Sequence, residues 1–281
     1  MIVVYTEKSQ VLAARIAQKL DCDLSEVKYT TFPDGEQSIR IMDDDDRMII
    51  VASTVDPEST LQAMLLLDAC EGKETTLVLP YMGYARQDKK FNEGEPISAR
   101  AMARALSTGA DRVFTVNIHD TSILAHFRCP AKNLTVAPEI GAYISTMALK
   151  NPLILSPDEG AWEFAKSVAA IGKWDCDHLD KTRISGSEVT MAPKHLEAKG
   201  RDCIIVDDII ATGGSMAKAA GMLREQGATS VRAAGVHGVF ASGGYIKLVQ
   251  AGLADIASSD TIERASSKIT ASGVIAEALR K

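Results

Sequence analysis

Two adjacent carboxylates and a glycine turn mark the segment Cys203-Ile204-Ile205-Val206-Asp207-Asp208-Ile209-Ile210-Ala211-Thr212-Gly213-Gly214-Ser215-Met216. The apolar run 203–206 predicts a buried strand, and the small residues after it predict a turn into a helix. Asp207 and Asp208 at that strand end cost desolvation energy unless donors meet them. The vicinal hydroxyls of a ribose are suitable donors. The loop of Ala211, Thr212, Gly213, Gly214 and Ser215 turns successive backbone N–H groups toward a helix start, a cradle for phosphate. The order suits a sugar phosphate, with hydroxyls on the carboxylates and the 5-phosphate in the loop. The plain alternative is that Ser215 caps a helix and the glycines make a turn, which leaves two acids without a role.

Other clusters carry chemistry of a compatible kind. Phe32-Pro33-Asp34-Gly35-Glu36 joins an aromatic face to two acids; Phe32 can stack on a purine while Asp34 or Glu36 accepts from its exocyclic amine. The alternative there is a simple Pro-Asp-Gly turn. Arg86, Gln87, Asp88, Lys89 and Lys90 follow another apolar run. Cations in a strand-end loop suit a polyphosphate, and Arg86 can grip two oxygens at once; a solvated basic loop is the alternative. His119, beside Asn117 and Asp120, also follows an apolar run. Lys181 and Arg183 are two apart and share a face of an extended chain, unless they belong to a surface hairpin. The acids at 43–46 read as a solvated turn without function. Neither a GxxxxGK[ST] phosphate loop nor a GxGxxG turn occurs, so a nucleotide site here has another design.

The elements that must hold these residues alternate in type. Apolar runs at 2–4, 48–51, 76–79 and 113–116 predict buried strands, and 10–20, 61–70 and 98–106 carry apolar residues at helical spacing. The rhythm repeats with strands at 153–155, 203–206 and 231–236 and helices at 161–171, 216–225 and 245–250. Such alternation predicts parallel sheets covered on both faces, with ligands beyond the carboxyl ends of the strands. Pro130 and Pro138 punctuate the middle, so two similar α/β domains are expected, over 1–137 and 138–281.

Composition narrows the partners. Of 281 residues 46% are hydrophobic and 24% charged, enough apolar material for real cores. Thirty-one basic against 37 acidic residues give a net charge of −6, which disfavours nucleic acid or an anionic membrane as partner. No apolar run approaches the roughly 20 residues of a bilayer span. The first residues read as a strand rather than a signal peptide. Five scattered cysteines without a C-x-x-C pair predict reduced thiols in a cytoplasm and no zinc site.

Taken in order, these segments resemble the ribose-phosphate pyrophosphokinase (phosphoribosyl diphosphate synthetase) family, from Phe32 to about Phe240. Segment 203–216 resembles the phosphoribosyl-diphosphate motif of the wider type I phosphoribosyltransferase-like superfamily. The segments around Phe32 and Arg86 separate the kinase from simple transferases, which lack them and have one such domain. The resemblance implies two type I phosphoribosyltransferase-like α/β domains, each a mainly parallel sheet flanked by helices, with the last helix packing back on the N-terminal domain. It implies transfer of the diphosphate of Mg-ATP to the 1-hydroxyl of ribose 5-phosphate, giving AMP and 5-phosphoribosyl 1-diphosphate. ATP would then meet Phe32, Asp34, Glu36, Arg86, Gln87, Asp88 and His119, and ribose 5-phosphate Asp207, Asp208 and loop 211–215. His119 and Asp158, in Ser156-Pro157-Asp158-Glu159-Gly160, would hold Mg2+. Lys181 and Arg183 would form the catalytic loop, while His237-Gly238-Val239-Phe240 reads as structural support. The family also implies at least a homodimer, Phe32 reaching a neighbouring subunit's ATP site. Two residues depart from the pattern: Asn117 stands where many members have Asp, and Ala161 replaces a second glycine. The competing readings are a purine phosphoribosyltransferase and a non-catalytic synthetase-associated regulator.

Overall fold

The fold is described by a computed structural model covering residues 1–179 and 196–281, with the strand backbone of Lys181–Arg183 and Val189–Met191 between them. The chain forms two compact units. The first comprises Met1–Thr135, Asp260–Glu263 and Thr270–Lys281; the second comprises Val136–Ser259 and Arg264–Ile269.

Unit 1 is built from β1 (Ile2–Tyr5), α1 (Gln10–Leu20), β2 (Asp23–Leu24), β3 (Val27–Thr31), β4 (Gln37–Ile41), β5 (Arg47–Val51), α2 (Pro57–Ala69), β6 (Glu74–Leu79), α3 (Ser98–Leu106), β7 (Arg112–Val116) and β8 (Ala131–Leu134). Its six-stranded sheet has the order β2-β1-β5-β6-β7-β8, and every pair is parallel. Strands buried on both faces need continuous apolar runs, and Val3, Val4, Ile50, Val51, Leu77, Val78 and Leu79 are fully buried. Helix α2 begins four residues before its apolar spacing because Asp56 caps it. The Asp56 carboxylate accepts from the Ser59 N–H at 2.7 Å, the Asp56 N–H donates to Ser59 Oγ at 3.1 Å, and Pro57 sits at the first turn.

The antiparallel hairpin β3–β4 is absent from the sequence reading. Val27, Tyr29, Ile39 and Ile41 pack on the unit's core while Lys28, Thr30, Ser38 and Arg40 are exposed. That period-two pattern is diluted by the polar tip at 32–36, so apolar content alone does not reveal it.

Unit 2 follows with α4 (Ala137–Ser145), β9 (Leu153–Ser156), α5 (Trp162–Gly172), β10 (Asp175–His178), the two-stranded ribbon β11 (Lys181–Arg183) and β12 (Val189–Met191), β13 (Asp202–Ile210), α6 (Gly214–Glu225), β14 (Ser230–Gly238), α7 (Gly244–Gln250), β15 (Asp255–Ser259) and β16 (Ser267–Ile269). The second six-stranded sheet, β10-β9-β13-β14-β15-β16, is again wholly parallel. The α/β expectation, with parallel sheets and flanking helices, is therefore borne out. The chain returns to unit 1 at Asp260–Glu263 and again at Thr270, ending in α8 (Ser272–Leu279), which lies along α1. There the Asp260 carboxylate, 1% exposed, pairs with Arg15 at 2.6 Å and accepts from the Ala271 N–H at 2.8 Å. Among the described residues no helix is long and apolar enough to cross a membrane.

Strand β13 is longer than its apolar run. It continues through Asp207 and Asp208 to Ile210 because β14 is equally long and supplies partners, Asp207 opposite Gly235 and Ile210 opposite Gly238. Its other end is anchored by Asp202, only 6% exposed. The Asp202 carboxylate accepts from the Lys150 N–H at 2.6 Å, from the Ser230 hydroxyl and from Arg232 at 3.4 Å. Burial pushes this carboxyl up, and the three donors overcome it and hold it below the usual carboxylate range. A lowered folded pKa stabilises above the unfolded value of about 3.9, and that stability is lost as pH falls through the folded value. Asp202→Asn should therefore cost about 1–3 kcal/mol at pH 7. Urea unfolding of both proteins across the acid range should show the gap closing toward about pH 3.

Candidate active site

The phosphate-loop segment is built where β13 turns into α6. Gly213 is the N-cap of α6 at φ 70°, in the left-handed region that favours glycine. It offers no side-chain cap, so Ser215 lies inside the helix rather than before it and the capping alternative fails. The first N–H groups of α6 thus lack a protein cap, the arrangement that receives an anion. A Cβ on Gly214 would meet nothing nearer than Thr212 Oγ1 at 3.8 Å. The surface over the loop is open.

Three carboxylates gather beside this loop. Asp207 is recessed in the strand, and burial first, then the charge and hydrogen bond of Asp208, then the charge of Asp158, raise its carboxyl well above the usual range. Asp158 lies beyond β9, the neighbour of β13, and its carboxylate accepts from the Ala161 N–H at 3.3 Å. Ala161 has φ −93°, a conformation open to any residue, so the missing glycine there is without backbone consequence. Hard oxygen donors around a recessed acid fit a magnesium ion. Among the described residues no three His, Cys, Asp or Glu side chains are arranged to hold a metal alone.

In unit 1 the candidate residues follow the adjacent strands β6 and β7. Arg86 and His119 are exposed, and Gln87 and Asp88 half-buried. The structure brings Asp88, His119 and Asp120 together. Hydrogen bonds from the Ser122 side chain and N–H, then one with Asp88 and the charge of His119, hold Asp120 below the usual carboxylate range. Gln87 is occupied locally, accepting from Ser98 Oγ at 2.5 Å and, through its carbonyl, from the Ala99 N–H at 3.2 Å. Asn117 has φ 41°, and Asn and Asp are the residues that best tolerate this left-handed turn. The departure from Asp therefore preserves the backbone while removing one negative charge.

Phe32, Asp34 and Glu36 stand at the exposed tip of the β3–β4 hairpin, Phe32 49% exposed. The tip is closed by the Phe32 N–H on the Glu36 carbonyl and the Gly35 N–H on the Phe32 carbonyl, both 2.8 Å, and by the Glu36 N–H on Asp34 Oδ1 at 3.2 Å. The hydrogen bonds that close the tip lie within the hairpin, and none of them joins these three residues to Arg86 or His119. The backbone of β11 pairs with β12, Lys181 opposite Met191 and Arg183 opposite Val189; the side chains of Lys181 and Arg183 lie outside the described residues.

Sequence reasoning missed two supports of the Arg86 loop. Glu95 accepts from the Phe91 and Asn92 N–H groups at 3.0 and 3.1 Å and from Asn92 Nδ2 at 2.6 Å. Gly83 is pressed on Thr54: a Cβ there would fall 2.2 Å from the Thr54 carbonyl oxygen. The glycine between Tyr81 and Tyr84 was the available signal for the second; a solvated-looking Glu gave none for the first.

Two wholly parallel α/β units, the second with a glycine-capped helix start after β13, have the build of a protein of the phosphoribosyltransferase type. Residues 1–109 match the family described as the N-terminal domain of ribose phosphate pyrophosphokinase, and residues 139–251 match the phosphoribosyl transferase domain. The chain belongs to the ribose-phosphate pyrophosphokinase family. It is 46% identical to the ribose-phosphate pyrophosphokinase of Methanosarcina mazei over 96% of this chain and 92% of that one. For the Methanosarcina acetivorans protein the identity is 47% over 97% of both. The crystal structure of phosphoribosylpyrophosphate synthetase from Mycobacterium smegmatis superposes with a TM-score of 0.84 at 27% identity, covering 99% of this chain and 97% of that one.

The open surface over Gly214 makes a direct test. The Cβ of Gly214→Val has room inside the unit, with Thr212 Oγ1 nearest at 3.8 Å, so the protein should fold with a melting temperature close to wild type. Its KM for ribose 5-phosphate should rise at least about tenfold while that for ATP stays near wild type; a rise confined to ATP would contradict the placement.

Proposed function

We propose that this protein is a ribose-phosphate diphosphokinase that transfers the diphosphate of Mg-ATP to the 1-hydroxyl of ribose 5-phosphate. The products are AMP and 5-phosphoribosyl 1-diphosphate, a precursor for nucleotide synthesis. The observation that carries the reading is the pairing, in one chain, of the Asp207–Asp208 phosphate loop with an N-terminal unit of the pyrophosphokinase kind. A transferase would need only the second unit.

Residues 1–137 form the ATP side and 138–281 the ribose 5-phosphate side in this reading. Asp207 and Asp208 accept from the ribose hydroxyls, and the backbone of Ala211, Thr212, Gly213, Gly214 and Ser215 receives the 5-phosphate. Arg86 pairs with ATP phosphate oxygens, supported by Gln87 and Asp88. His119 and Asp158 are assigned to Mg2+, which supplies charge neutralisation on the phosphate oxygens when bound. Lys181 and Arg183 are assigned to the charge that develops on the transferring group and the departing AMP. Attack on the β-phosphorus needs in-line placement and neutralisation more than covalent catalysis, and no protein base is invoked. A reducing compartment, the cytoplasm, suits the five free thiols.

Incubation with ribose 5-phosphate and Mg-ATP should release AMP. Pyrophosphate release from phosphoribosyl diphosphate and adenine would instead mark a transferase, and neither product a regulator. Lys181→Ala should lower turnover by orders of magnitude with little change in substrate KM, because the cation meets charge that exists only in the transition state. A loss under about tenfold would remove Lys181 from the catalytic loop.

The exposed Phe32 supports a homo-oligomer, at least a dimer, in which Phe32, Asp34 and Glu36 complete the purine site of a neighbouring subunit. The Phe32 ring stands about half exposed at the hairpin tip, where a purine could stack on it. Mixing Phe32→Ala with Lys181→Ala should restore part of the activity, since some mixed sites contain neither lesion. Failure to recover after verified subunit exchange would show that each chain completes its own site.

A further inference from the structure

The residues placed on the sugar phosphate end at Ser215, yet the loop they form rests on a stretch of chain read so far only as structural support. Just beyond β14, Phe240 has φ 50°, Ser242 φ 51° and Gly243 φ 72°. Glycine enters this left-handed region freely, whereas a bulky aromatic residue does so only where its surroundings impose it. The surroundings of Phe240 are the base of the phosphate loop. Its N–H donates to the carbonyl of Ile210, the last residue of β13, at 3.0 Å. Its ring packs against the core of unit 2 and meets Tyr245 edge-on, with centroids 5.4 Å apart at 83°. It also lies so close to Gly238 that a Cβ there would fall 2.6 Å from Phe240 Cε2.

Tyr245 belongs to the first turn of α7, and that turn touches the loop backbone directly. A Cβ on Gly244 would fall 2.8 Å from the Ala211 carbonyl oxygen and 3.0 Å from the Thr212 carbonyl carbon. A Cβ on Gly213 would fall 2.7 Å from the Gly244 carbonyl oxygen and 3.1 Å from Leu248 Cγ. Main chain lies on main chain, so a small displacement of the first turn of α7 moves residues 211–213 with it.

We propose that Phe240 is a positioning residue for the sugar-phosphate loop: its ring locks the first turn of α7 against residues 211–213 and so sets the loop shape that receives the 5-phosphate. This rests on the placement of ribose 5-phosphate in unit 2. Two features separate the role from core filling. The ring is only partly buried and borders a cavity of about 270 Å3 lined also by Tyr245, Arg264 and Ser266. Its backbone conformation is one that side-chain hydrophobicity alone does not select.

Phe240→Gly keeps φ 50° at no steric cost and removes the ring; Phe240→Tyr keeps the ring. At saturating ATP the glycine variant should raise the KM for ribose 5-phosphate about tenfold or more, leave the KM for ATP within about twofold, and lose little kcat. Phe240→Tyr should restore the wild-type KM. If Phe240→Gly does not fold, Phe240→Leu carries the same comparison, since it fills the core without the edge contact to Tyr245. A lowered melting temperature with both KM values unchanged, or an equal rise in both, overturns the proposal. Calorimetric titration of each variant with ribose 5-phosphate reads the loop without turnover. A wild type that binds the sugar phosphate but makes no AMP would sink the proposed reaction alone, and equal affinities in wild type and Phe240→Gly would sink the positioning role alone.

Discussion

A wholly parallel ladder sends every strand of a sheet in the same direction, and the loops that follow its strands collect at one edge for that reason. In unit 1 the loops after β6 and β7 stand side by side because Leu79 pairs with Thr115. In unit 2 the turns after β9 and β13 are neighbours because Ile205 pairs with Leu155. Residues far apart in sequence, Asp88 and His119 in one unit and Asp158 and Asp207 in the other, meet through that register. A cavity of about 650 Å3 between α2 and α3, lined by Leu67, Lys73, Thr108 and Asp111, lies instead at the amino ends of β6 and β7, away from all of these groups.

Electrostatics then divides the work between the two edges. The chain is acidic overall, at −6, yet its candidate anion sites are met by local means. Unit 1 exposes Arg86, Lys89 and Lys90 on one loop, while unit 2 uses backbone N–H groups at the start of α6. The turn that follows Asp207 and Asp208 offers backbone donors and adds no further charged side chain. Burial, with the charges of Asp208 and Asp158 beside it, raises the Asp207 carboxyl well above the usual range.

Left-handed backbone marks the places where these loops are held. Tyr84, Asn117 and Phe240 all have positive φ; the first two lie just past β6 and β7, whose ends carry candidate chemistry, and Phe240 lies just past β14, the neighbour of β13. Asn tolerates that conformation by itself, whereas Tyr84 and Phe240 depend on neighbours: Thr54 under the Gly83 turn, Ile210 and Tyr245 around Phe240. The support for the site is therefore spread over residues that have no chemistry of their own.

The strand–helix alternation, the acid pair at Asp207 and Asp208, the loop at 211–215 and the cations after β6 were legible in the sequence, because each depends on residues near one another in the chain. Local periodicity also revealed the buried strands, whose apolar runs are nearly continuous. Other features depended on partners supplied from elsewhere. Strand β13 pairs with β14 as far as Ile210, and the β3–β4 hairpin packs Tyr29 and Ile39 on the core of unit 1. The approach of Asp158 to Asp207, the Glu95 clasp and the contact of Gly244 with loop 211–213 are absent from any local pattern. Sequence spacing determines which groups can share a loop or a helix start. Only tertiary pairing decides which loops share an edge, because parallel strands are joined through long crossovers and their neighbours are chosen by burial.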